Sequence, residues 1–116
     1  MADTRPTPAQ VSFIEIGVAD ASKSRLFLEQ MFGWKFHPFG KASDGWFQTP
    51  SLKAGVHGDD PNQGFLVFFG VPNLELAAAE VIRLGGNAEA PIKQPGFGRF
   101  CICVDPQGLR FGLHEP

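Results

Sequence analysis

The chain carries one pattern twice, and a duplicated pattern restricts the fold to two copies of one unit packed together. Residues 13–18 read FIEIGV and residues 66–71 read LVFFGV, an offset of 53. At that offset Gly17 meets Gly70, Val18 meets Val71, Asp20 meets Asn73 and Gly33 meets Gly86. GWF at 45–47 meets GRF at 98–100. LKAGVH at 52–57 matches LRFGLH at 109–114 only at an offset of 57, which places four extra residues in the loop before Gly108.

Each copy reads as a strand, a helix and three strands. Along 13–18, Ile14, Ile16 and Val18 form one apolar face, and Phe13, Glu15 and Gly17 form the other. Asp20 is a good N-cap, because its carboxylate accepts from the free N–H groups of a first helical turn. The helix then runs to about Phe32, and Gly33 stops it. Strands follow near 34–39, 45–49 and 52–57. In the second copy the strand spans 65–71, Asn73 caps a helix to about Leu84, and strands follow near 87–90, 99–104 and 109–114. HGDDPNQG at 57–64 is a polar linker, and DPQG at 105–108 is a turn with Pro second. This divides the chain into a flexible tail (1–10) and one domain (11–116). Within it, module one covers about 11–57, the linker 58–64 and module two about 65–115.

With 116 residues the chain is long enough to bury a core, and 43% hydrophobic against 19% charged residues is a globular balance. The net charge of −2 offers nothing to attract nucleic acid or an anionic membrane. Twelve Phe and no Tyr exclude tyrosine acid–base or radical chemistry. Residues 1–10 lack the apolar stretch of a signal peptide, and no apolar run approaches the roughly 20 residues of a membrane helix. The expected compartment is the cytoplasm. Cys101 and Cys103 stand two apart on one strand face and read as small apolar fillers rather than a disulfide.

Three segments carry a resemblance: IEIGVADASKSRLFLEQMFGW at 14–34, GVPNLELAAAEVIRLGG at 70–86 and DPQGLRFGL at 105–113. In this order and spacing they resemble the vicinal oxygen chelate superfamily, the group of glyoxalases, bleomycin-resistance proteins and extradiol dioxygenases. Leu109 stands where that family usually has Asn. The resemblance implies an α+β fold. Two βαβββ modules build one curved, eight-stranded mixed sheet around a cleft, with helices on the convex side. It implies four metal-ligand positions, on the first and last strand of each module, and these match Phe13, Gly55, Leu66 and Gly112. None of those side chains offers a donor to a divalent metal. No metal is therefore expected at these positions, and no other cofactor is expected. A divalent metal held elsewhere is the alternative.

Strand alternation adds further residues to the cleft face. Glu15 shares the face of Phe13, and Phe68 that of Leu66. His57 and Lys53 share the face of Gly55, and His114 and Arg110 that of Gly112. Glu15, His57 and His114 are the candidate catalytic groups. The two His, related by the duplication, are either acid–base or metal groups completed by Glu15, or rim side chains bonded to water. Glu15 is either a general base or polar anchor, or a carboxylate satisfied by backbone donors or by Arg110. PGFG at 95–98 lacks the Lys, the Ser/Thr and the helix of a phosphate loop. Phe97 there either covers a ligand or is an exposed turn residue. Alternation leaves open whether Arg99, Cys101 and Cys103 face cleft or core.

The function expected is the binding of a small apolar or aromatic molecule in a metal-free cleft. The alternative is a lyase, isomerase or dioxygenase-type enzyme using Glu15 with His57 or His114. A role in protein contacts alone is the weaker third reading. A homodimer is expected, because the edges of a lone curved sheet are usually covered or paired.

Overall fold

The chain is described by a computed structural model over residues 8–39 and 43–116. Residues 1–7 of the expected tail lie outside the described residues, and the Gln10 carbonyl accepts from Gly70 N–H at 2.9 Å. Module one is β1 (Val11–Gly17), α1 (Ala21–Phe32), β2 (Lys35–Pro38), β3 (Gly45–Gln48) and β4 (Lys53–His57). Module two is β5 (Gly64–Gly70), α2 (Leu74–Arg83), β6 (Asn87–Ala88), β7 (Ile92–Gln94), β8 (Gly98–Val104) and β9 (Arg110–Glu115). Both caps form. Asp20 Oδ1 accepts from Lys23 N–H at 3.2 Å, and Asn73 Oδ1 from Leu76 N–H at 3.0 Å. Gly33 ends α1 with φ of 69°, a conformation that glycine adopts without a Cβ penalty.

The strands form one mixed sheet in the order β2-β3-β4-β1-β5-β9-β8-β6, and β7 also pairs with β8. Because β6 and β7 share one edge of β8, the sheet has the eight positions of the glyoxalase-like fold. The modules join where β1 runs antiparallel to β5, with Phe13 opposite Phe68 and Glu15 opposite Leu66. An offset of 53 carries the first of these pairs onto the second, so a pseudo-twofold axis passes through the joint. Beside it, β4 is parallel to β1 with Gly55 opposite Glu15, and β9 is parallel to β5 with Gly112 opposite Phe68.

One correction concerns where the second copy is longer. Trp46 pairs with Gly55, and Ile102 pairs with Gly112, so β3 and β8 are related by an offset of 56. The structural mate of GWF is therefore Cys101-Ile102-Cys103, not GRF. Three of the four extra residues enter before β8, in the hairpin it forms with β7, and one falls in the loop before β9. Burial explains the shift: Phe47 and its mate Cys103 both face the core, whereas Phe100 faces the cleft.

Each helix covers its own core on one face of the sheet. Leu28 of α1 packs with Ile16, Phe47, Ala54 and Val56 of the sheet. Leu74 of α2 packs with Cys101, Cys103 and Leu113. The alternation left open above is thereby resolved. Cys101 and Cys103 are buried free thiols, and Arg99 on the same face bonds Glu75 of α2 and Glu115.

Candidate functional site

The opposite face of the sheet curves around a cleft of about 830 Å³. Of the residues expected there, Phe13, Glu15, Gly55, His57, Leu66, Phe68 and Arg110 line it, joined by Lys53, Trp46 and Phe97. Gly112 and His114 do not line it. A Cβ on Gly112 would collide with the Phe68 ring, and His114 is buried under Phe97. The two imidazoles, equivalent by sequence, thus stand in different surroundings.

At the module-one end, Glu15, His57 and Asp60 form a line. His57 Nδ1 lies 2.5 Å from Glu15 Oε1, and Nε2 lies 2.7 Å from Asp60 Oδ2. Burial pushes the Glu15 carboxyl above its ordinary value, against the pull of His57 and with help from the charges of Asp44 and Asp60. Burial alone would lower His57, but its bonds to Glu15 and Asp60 outweigh burial and raise it. The Asn62 amide and His57 hold Asp60 low, so Asp60 is the carboxylate that accepts from Nε2–H. With Nε2–H committed to Asp60, one proton is shared between Nδ1 and Glu15 Oε1. The arrangement suits Glu15 to take up a proton from the cleft or return one to it.

Asp60 was not among the residues singled out in the sequence, because it sits in a segment that reads as a polar linker. Its position is built locally. Asp59 takes φ of 55°, unusual for a residue other than Gly, and Asp60 N–H donates to Val18 O at 3.1 Å. Asn62 N–H donates to Asp60 Oδ1 at 2.8 Å. A Cβ on Gly17 would collide with the Asp60 carboxylate, so this glycine leaves Asp60 the space to reach His57. The one sequence signal for it is an Asp three residues after a strand-end His.

At the module-two end the corresponding space is filled with rings. Phe97, at the tip of the β7–β8 hairpin, contacts Phe13 at 4.8 Å and Phe100 at 5.7 Å between ring centroids. It stacks on His114 at 3.9 Å. His114 Nε2–H donates to the Phe97 carbonyl at 2.6 Å, and Nδ1 faces Ser12 Oγ at 3.0 Å. Phe97 is not the exposed turn residue of the second expectation: it is half-buried, lies over His114 and forms a wall of the cleft.

The four positions matching the family's metal ligands do not fit a metal. Phe13 and Leu66 present carbon, and the space over Gly55 and Gly112 is taken by Glu15 Oε2 and the Phe68 ring. Nor do Glu15, His57 and Asp60 converge, since the two carboxylates engage opposite nitrogens of one imidazole. Among the described residues no three His, Cys, Asp or Glu side chains are grouped to hold a metal ion. Nor, among the described residues, is any helix long and apolar enough to cross a membrane.

Neither a protein-family model nor a curated protein sequence matches this chain. Solved structures do. A hypothetical protein of Bacillus halodurans C-125 is 13% identical with a TM-score of 0.77, over 95% of this chain and 96% of that one. The methylmalonyl-CoA epimerase of Mycobacterium tuberculosis is 14% identical with a TM-score of 0.73, over 100% and 93%. A methylmalonyl-CoA epimerase of Streptomyces coelicolor, in complex with 2-nitronate-propionyl-CoA, is 14% identical with a TM-score of 0.72, over 94% and 95%. The fold is shared with these structures, and it is the glyoxalase-like fold that the sequence motifs implied.

Proposed function

We propose that the cleft binds a small apolar or aromatic molecule and that Glu15, with His57, moves a proton on it without a metal, as an isomerase-type enzyme does. The single observation that carries this reading is the Glu15 carboxyl itself. It is partly buried in a cleft lined by Phe13, Leu66 and Phe68, its affinity for a proton is raised, and an imidazole shares its proton at 2.5 Å. Support of a coarser kind comes from the epimerases of the same fold, since epimerisation removes and returns a proton at carbon.

The test is exchange of carbon-bound hydrogen for deuterium from D2O in a panel of aryl ketones, followed by proton NMR. The wild type should exceed the buffer rate, and Glu15→Gln should lower the catalysed rate by at least about 100-fold while retaining ligand binding. Exchange at the buffer rate with ligands still bound would reduce the protein to a binder. Exchange unaffected by Glu15→Gln would remove Glu15 from the chemistry.

A further inference from the structure

Arg110 is a charged group of the cleft that the proton chemistry does not use. It lies on β9 two residues before Gly112, as Leu66 lies on β5 two residues before Phe68, the partner of Gly112. Leu66 faces Glu15 across the module joint. Glu15, Leu66 and Arg110 thus come from a row of three adjacent strands, β1, β5 and β9, and all three line the cleft. Among the described residues Arg110 has no carboxylate within ion-pair distance. Asp60 is the acid whose charge it feels, but both Asp60 oxygens are already engaged, by Asn62 N–H and by His57. The duplicate of Arg110 in module one is Lys53, and its ammonium sits 4.5 Å over the Trp46 ring.

From this row we infer that the cleft takes an aromatic monocarboxylate. Its carboxylate is bound by the Arg110 guanidinium, and its ring lies on Leu66 and Phe13 toward Glu15. A guanidinium presents a planar fork of N–H donors that matches a carboxylate two bonds at a time. The single charge of a guanidinium balances a monoanion and leaves a phosphate dianion half compensated beside Asp60. Lys53, held against Trp46, contributes a wall rather than the anion contact. The inference rests on the reading of the cleft as a small-molecule site and adds the class of molecule to it.

The probes are 3-phenylpropionate, its neutral amide and phenyl phosphate, titrated calorimetrically against wild type, Arg110→Gln and Lys53→Gln. Wild type should bind the carboxylate about tenfold more tightly than the amide, as a charge-assisted pair does. Arg110→Gln should remove that preference and leave amide affinity within about twofold, which also shows that the variant is folded. Lys53→Gln should keep the preference. Equal binding of acid and amide by wild type, or a preference that survives Arg110→Gln, overturns the Arg110 assignment and leaves the cleft as a binding site. Tighter binding of the phosphate overturns the carboxylate class. Failure of both the acid and the amide to bind overturns this inference together with the small-molecule reading.

Discussion

The two halves of the cleft are built from equivalent positions and hold opposite contents. In module one, Glu15 occupies the space over Gly55 and bonds His57. In module two the mate of Glu15 is Phe68, which occupies the space over Gly112, and the mate of His57 is sealed under Phe97. The first half keeps titratable groups facing the cavity, and the second turns the same framework into packed aromatic surface. The difference teaches that a duplicated scaffold does not imply a duplicated site. It traces to two changes, Phe in place of Glu on the first strand and three extra residues in the β7–β8 hairpin that deliver Phe97.

The comparison is broken most forcefully by removing the two mates in turn. Phe68 is 4% exposed and touches three other rings, so Phe68→Ala should destabilise the protein by about 3–5 kcal/mol in urea unfolding. Glu15→Ala should change stability by no more than about 1 kcal/mol, because a partly exposed ion pair contributes little net free energy. Equal losses would mean that Glu15 is as structural as Phe68.

The glycines sharpen it next. Gly112→Ala sets a methyl against a ring held by three other rings and should cost about 1–3 kcal/mol. The Cβ of Gly55→Ala meets mainly the tip of a carboxylate that can swing aside. It should therefore lower stability less, while disturbing the Glu15–His57 contact. A larger loss for Gly55→Ala than for Gly112→Ala reverses the assignment of packed and open halves.

The smallest effect is in pH. Since the folded protein raises His57 above its ordinary 6.5, the stability this group adds is fully present below that value. It is lost as pH rises through the folded value. The difference in melting temperature between wild type and His57→Gln should therefore shrink from about pH 6 to about pH 9. A constant or growing difference would show that the bonds to Glu15 and Asp60 do not hold the His57 proton.

Periodicity and the repeat made both capped helices, the cleft face of β1 and the contribution of Glu15 and His57 legible in the sequence. What escaped has a common cause. Sequence offset treats Gly55 and Gly112, or His57 and His114, as the same environment, and only packing shows which neighbour has moved into the space. The GWF–GRF match failed for a related reason. Two matching letters out of three carry no information about which face of the strand is buried, whereas the pairing of Trp46 and Ile102 with their glycines does. Asp60 escaped because a turn rich in Asp, Asn and Pro satisfies the expectations for a linker with no further role.

The joint between modules also governs the order in which the chain assembles. Phe13 lies in the middle of the sheet, yet its partners are Lys53 and Phe68, 40 and 55 residues further along. The strand made first is thus among the last to be flanked on both sides, and every route to the native sheet must close long loops before the contacts reward it. Such a topology belongs to slow folders, in milliseconds to seconds rather than microseconds. Until β5 arrives, β1 offers an open seven-residue edge to any other strand nearby, including the β5 of a neighbouring chain.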